Sequence, residues 1–289
     1  MSRYVPDVLS RRWVIISPSR SSRPGEKNKK YICPLCPGHE KMTPPEVLRY
    51  GVGEPNSKGW QVRVIPNKYP ITDYHEVIIH SPNCGRDIEN LPLPHVELIL
   101  KAYRERFNYY RKKGQVLIFC NHGEHAGASL SHPHSQLVVI PSQINLDTLS
   151  REPLNNMVDE NNFFHVYCPD FSQWPYEVWI APKLDGNKVF GEINNEEIND
   201  LARILQGILR RLEKIYEKAP LTKLPFGYNY YIYPKENWYI RLTPRFVHRA
   251  GFELGTGLSV NIVDPIEAAN QLKGTNEKIA HVLKKLKKY

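Results

Sequence analysis

No run of eighteen apolar residues occurs in the 289-residue chain, so no transmembrane helix is expected. The apolar patch nearest the N-terminus, Trp13 to Ile16, spans only four residues. That is too short for a signal-peptide core, and a cytoplasmic protein is expected. Cysteine is sparse and odd in number, with five residues at positions 33, 36, 84, 120 and 168. This argues against a disulfide framework and leaves metal binding as the leading use of the closest pair. Neither a P-loop nor an aromatic-basic ribonucleoprotein motif is present. The net charge of +9 therefore points to small phosphorylated substrates and not to nucleic acid. Much of that charge sits in the terminal KKLKKY, which reads as a solvated helix face.

Hydrophobic residues at 41% and charged residues at 24% describe a soluble globular chain, long enough for one large domain or two ordinary ones. Residues 1–30 read as an extended arm leading into a basic loop. The segments 60–66 and 75–82 alternate as strands. A helix follows, with Leu98, Ile99, Ala102, Tyr103 and Phe107 on one face and Gly114 as its stop. Residues 115–121 are a strand, 122–129 a glycine-containing loop, and the next strand follows. The same order recurs. "YEVWIAPK" mirrors "HEVIIHSP", and a second helix carries Ile198, Leu201, Ile204, Leu205, Ile208 and Leu212 on its apolar face. "YNYYIY" mirrors "VLIFCN", and "NWYIRLTPR" mirrors "HPHSQLVVIP". A duplication follows, with the shared Glu-Val-x-Ile aligning the halves and residues 145–165 as connector. The expected units are 1–150 and 151–289.

The stretch "GASLSHPHSQLVVIP" (127–141) sets His132, His134 and Gln136 at every second position, which in a strand is one face. Three polar groups there are costly unless a metal or an anion satisfies them. Imidazole is largely uncharged near neutral pH and is a competent nucleophile once an acceptor holds its other nitrogen. Gln136 and Ser129 could donate to phosphoryl oxygens, and the glycines of "HGEHAGAS" let backbone N–H groups approach a phosphate. The tight "CPLC" at 33–36 suits two thiolates on one tetrahedral zinc. His39, Cys84, His122, His125 and His132 are the candidates for its remaining ligands. A redox use of the pair would need a helix directly after it, and Pro37-Gly38 follows instead.

Seven stretches together resemble the galactose-1-phosphate uridylyltransferase family of the histidine-triad superfamily, including its ADP-sugar phosphorylases and adenylyltransferases. They are 11–24, 33–47, 60–70, 75–84, 120–136, 174–183 and 249–261. The resemblance implies an α+β fold of two histidine-triad-like repeats, each an antiparallel sheet with a packed helix. It implies ping-pong exchange of a nucleoside monophosphate between a nucleotide sugar (UDP-glucose) and a hexose 1-phosphate (galactose 1-phosphate). The attacking group would be His134, assisted by Gln136. The alternatives are an ADP-sugar phosphorylase or adenylyltransferase, or a zinc-stabilised nucleotide-binding module without catalysis. Arg20, Arg23, Asn121 and Ser129 match phosphate contacts of the family, Asn67 a nucleotide contact, and Phe252 and Glu253 the hexose contact. One structural Zn2+ would sit on Cys33, Cys36, Cys84 and His132, with cysteine at 84 where the family has histidine. Asn237-Trp238-Tyr239-Ile240-Arg241 lacks the histidines of a second metal site, so none is expected there. A homodimer is also implied.

Overall fold

The structure is a computed structural model, and it describes residues 2–7, 12–22, 32–146, 149, 151–183, 188–218 and 225–274. The N-terminal arm is a hairpin of β1 (Arg3–Pro6) and β2 (Trp13–Ile16). The other strands are β3 (Leu48–Gly51), β4 (Trp60–Pro66), β5 (His75–Ile79), β6 (Gln115–His122) and β7 (His134–Ile140), then β8 (Met157–Glu160), β9 (Phe164–Tyr167), β10 (Val178–Pro182), β11 (Tyr228–Ile232) and β12 (Ile240–Pro244). They form one sheet in the order β3-β4-β5-β7-β6-β11-β12-β10-β9-β8. The order is a palindrome. β6 and β11 pair at its centre, antiparallel, with Asn121 opposite Asn229. The two repeats thus share one continuous sheet. The stretch read as a connector supplies the outermost strand β8 and the first residues of β9.

Two long helices, α1 (Leu93–Tyr110) and α2 (Asn195–Lys218), follow β5 and β10 and share one core cluster with the sheet. Pro94 suits the first turn of α1, where its missing N–H costs nothing. Asn194 and Glu197 cap α2 reciprocally: the Glu197 N–H donates to Asn194 Oδ1 (2.9 Å), and the Asn194 N–H donates to Glu197 Oε2 (2.6 Å). All six apolar residues read for the α2 face are buried. Of the α1 face, Leu98 is only partly buried, and Arg106 joins the buried side instead. Its guanidinium donates to both oxygens of Glu76 (2.9 and 2.7 Å), which also accepts from Tyr110.

That contact corrects the alignment of the halves. Val77 sits opposite Gln136 across β5–β7, and Trp179 sits opposite Arg241 across β10–β12. Val77 therefore corresponds to Trp179, one residue later than the shared Glu-Val-x-Ile suggests. A slip of one residue in a strand exchanges its faces. Glu76 points to the helix layer, whereas Glu177 points to the opposite, open face and receives Arg241 Nε (2.7 Å) and Nη2 (2.9 Å). Among the described residues no helix is long and apolar enough to cross a membrane.

Candidate active site and metal centre

The chemistry-bearing side chains of the first repeat gather on the open face of β7. His134 and Gln136 line a cavity of about 230 Å³, together with Ser129, Asn67 and Lys68. One wall is apolar, from Leu35, Met42, Pro44, Ile65 and Val77. Ser135 and Leu137 face the other way, as the strand period requires. The Ser135 hydroxyl joins Tyr103, Tyr230 and His80 Nε2 there.

His134 is 7% exposed, and burial, the largest influence, pushes its pKa down to about 4. The ring is therefore neutral at pH 7, as a nucleophile needs. Its Nδ1–H donates to the His132 carbonyl (2.8 Å), which leaves the Nε2 lone pair available. The approach loop reaches the cavity through a single turn, Glu124–Ala126, with Gly123 (φ +89°) and Gly127 (φ +88°) at its ends. Both positions lie in the left-handed region that glycine tolerates best. Asn121 lies outside the cavity lining, and its Oδ1 accepts from Asn229 Nδ2 (2.8 Å).

His132 falls just before β7 and turns to the CPLC loop. Its Nδ1 is 3.7 Å from Cys33 Sγ and 3.5 Å from Cys36 Sγ. A tetrahedral zinc bound at about 2.1–2.3 Å would set its ligand atoms about 3.6 Å apart. His132 Nε2–H donates to the Ser81 carbonyl (2.8 Å), so the Nδ1 lone pair faces the sulphurs. Burial, then the neighbouring thiols of Cys33 and Cys84, pushes Cys36 up to about 12. A cation would relieve that crowding, and the residues fit a thiolate-rich metal site. Cys33, Cys36 and His132 lie mutually within 4.8 Å. Cys84 is outside that group, though its thiol is among the neighbours that raise the Cys36 pKa. His39 points its Nδ1–H at the Cys33 carbonyl (2.7 Å) and serves the loop.

The remaining expected residues scatter. Arg20 donates from Nη1 to the Tyr69 carbonyl (2.7 Å), beside Lys68, and does not line the cavity. Arg23 lies outside the described residues. Phe252 and Glu253 sit on the short helix α3 (Gly251–Thr256), outside the cavity lining. Phe252 is exposed, and Glu253 accepts from the Ala250 N–H (2.9 Å). His122 faces the helix layer, stacked on Tyr228 at 4.6 Å. Its Nδ1–H donates to Asp87 Oδ2 (2.8 Å), while His80 donates to Asp87 Oδ1 (2.5 Å). His125 packs edge-on to His248 at 6.4 Å. In the same segment, Arg245 and Arg249 both lie over the Trp174 ring, at 4.3 and 4.9 Å. In the sequence Lys68 carries no assigned role, and His75 ranks below the loop histidines His122 and His125. A cavity wall drawn from separate loops leaves no periodic signal, and His75 could be found only through strand register.

A family described as "Domain of unknown function (DUF4931) N-terminal domain" matches residues 21–142. An ADP-glucose phosphorylase from Arabidopsis thaliana is 27% identical, over 92% of this chain and 91% of that protein. A galactose-1-phosphate uridylyltransferase from Thermotoga maritima is 24% identical, over 96% of this chain and 99% of its own. The crystal structure of an Arabidopsis thaliana ADP-glucose phosphorylase with bound ADP-glucose superposes with a TM-score of 0.71 at 25% identity, covering 96% of this chain and all of that one.

Proposed function

We propose that this chain, a relative of the galactose-1-phosphate uridylyltransferases and ADP-glucose phosphorylases of the histidine-triad superfamily, is a nucleotidyltransferase working between nucleotide sugars and sugar phosphates. His134 carries the reading: a neutral ring, tautomer set by a carbonyl, at the wall of a cavity. In the first half-reaction the Nε2 lone pair forms the N–P bond as the bond from α-phosphorus to the leaving sugar 1-phosphate breaks. In the second, an acceptor phosphate oxygen forms the new P–O bond and the imidazole leaves with its lone pair. One exchange becomes two in-line displacements at the same phosphorus. Gln136 and Ser129 are the donors nearest the transferring group, and the apolar wall takes the base. UDP-glucose and galactose 1-phosphate are the first donor and acceptor to test. The adenylyl alternative is favoured by the 27% identity to the ADP-glucose phosphorylase over nearly the whole chain.

Zinc belongs on Cys33, Cys36 and His132, with Cys84 as the fourth ligand. When bound it tethers the CPLC loop to the base of β7 and touches no substrate. Phe252, Leu254, Leu258, Val260 and Ile262 are exposed within one short segment. A ridge of that kind suits burial against a second copy, and a homodimer in which Phe252 and Glu253 approach the partner's cavity is part of this reading. Free thiols suit a cytoplasmic location. The test is to incubate the protein with labelled UDP-glucose and ADP-glucose, with galactose 1-phosphate or inorganic phosphate as acceptor. An acid-labile, base-stable label is expected on His134. Absence of label with every donor would leave only the non-catalytic binding module.

A further inference from the structure

Gln136 has an amide that can present either its N–H groups or its oxygen to the cavity, and the two orientations have opposite effects on a phosphoryl group. The neighbouring strand decides which. His75 is 4% exposed, on β5 beside β7. The Ile71 backbone N–H donates to His75 Nδ1 (2.9 Å), and that nitrogen must therefore be bare. In the neutral ring the hydrogen is then on Nε2, which lies 3.0 Å from Gln136 Oε1. With its oxygen occupied, the amide turns its N–H groups the other way, toward the cavity that Gln136 lines. Asn67 obeys the same logic. Its Oδ1 accepts from the Tyr69 N–H (2.8 Å), and its Nδ2 lies 3.1 Å from His75 Nε2. Asn67 thus offers its amide N–H groups, not its oxygen, on the side where it lines the cavity.

We propose that His75 is the positioning residue of the transfer site: its Nε2–H holds the Gln136 oxygen so that the amide donates to the transferring phosphoryl group. The assignment rests on the nucleotidyl-transfer reading above. The second repeat shows the same pair of positions with the donor exchanged. Glu177 takes the place of His75 and accepts from Arg241, which takes the place of Gln136. These two positions form a donor–acceptor pair in both repeats, and only in the first is the outward partner an amide whose orientation has to be chosen.

The experiment measures single-turnover labelling of His134 and donor dissociation constants for the full chain and its variants. His75→Ala lowers the labelling rate on the order of 10- to 100-fold, as loss of an orienting partner does, with donor affinity within about threefold. His75→Gln, whose amide can accept from Ile71 and donate to Gln136, restores most of the rate. His75→Glu falls below His75→Ala, because a carboxylate would attract the Gln136 N–H groups and turn the oxygen outward. In a Gln136→Ala background, His75→Ala has no further effect, whereas a merely structural role would be additive. Full activity in His75→Ala, additivity with Gln136→Ala, or equal rates for the Ala and Glu variants would each overturn the assignment. A wild-type protein that takes no label from any donor instead overturns the transfer reading itself.

Discussion

The His134 ring and the His132 carbonyl are 2.8 Å apart across a single proline. His132 is itself fixed at both ring nitrogens, by Ser81 on one side and the CPLC sulphurs on the other. Whatever holds His132 therefore aims His134. Replacing His134 with Gly or Asn removes the attacking lone pair and leaves the frame. The labelled intermediate is expected to disappear, with the exchange rate down by on the order of 10³-fold or more, while the melting temperature changes by only a few degrees. Residual labelling of a His134→Gly protein at wild-type rate would move the nucleophile elsewhere.

Metal removal separates frame from chemistry. Cys84→Ser is expected to lower zinc content by elemental analysis and to reduce stability before it changes the rate of the fully loaded protein. A site saturated a thousandfold above its dissociation constant contributes about 4 kcal/mol, and a chelator should withdraw about that much in a urea titration. His39→Ala should keep its zinc, because that ring serves the Cys33 carbonyl. His122→Ala should keep it too, because that ring is held by Asp87 on the helix face.

The strands bearing the motif, the two helices and the duplicated order were legible because alternation and helical spacing are local. The alternate spacing of His134 and Gln136 set both side chains on the face of β7 that lines the cavity. Register was not legible. The shared Glu-Val pair aligned Glu76 with Glu177, yet one serves Arg106 in the helix layer and the other Arg241 on the open face. Only pairing with β7 and β12 sets that, and pairing is a long-range choice. The same ignorance hid the role of His75, which depends on a neighbour sixty-one positions away. Strands β3, β8 and β9 are short and sit toward the sheet edges, with too few alternations to stand out.

The Glu177–Arg241 pair allows a stability test of the second repeat. The Glu177 side chain is fully buried and that of Arg241 nearly so. Arg241→Leu leaves a buried carboxylate without its bidentate partner, and the cost is expected at about 3–5 kcal/mol in a urea titration. The double replacement Arg241→Leu with Glu177→Leu should recover only part of it, because the Trp179 Nε1–H and the Gln173 N–H, which also donate to Glu177, then lose their acceptor. A single variant within 1 kcal/mol of wild type would show that water reaches the pair.

The acid–base cluster behind β7 makes stability fall as pH rises. Burial, then the charge of Asp87, raises the Glu89 carboxyl from 4.5 to about 7. Burial opposes the charge on His122, but its hydrogen bond to Asp87 and the surrounding carboxylates hold its pKa above 6.5. A group whose folded pKa is raised binds its proton more tightly in the folded state. The stabilisation is complete below the unfolded pKa and is lost as pH rises through the folded one. Glu89 therefore withdraws stability between about 4.5 and 7, and His122 continues the loss above 6.5. Asp87 acts oppositely, but only below its unfolded value of 3.8, since burial is outweighed by His80 and His122 and its carboxyl is held well below the usual range. His134, whose pKa burial lowers from 6.5 to about 4, acts the other way between those values. The urea midpoint of wild type should therefore decline only above about pH 6.5, and between pH 4.5 and 6.5 the midpoint of Glu89→Gln should rise more steeply with pH than that of wild type. His122→Gln should flatten the decline above pH 6.5 while leaving the lower range intact. Parallel slopes for wild type and both variants would show that these groups titrate alike in the folded and unfolded chain.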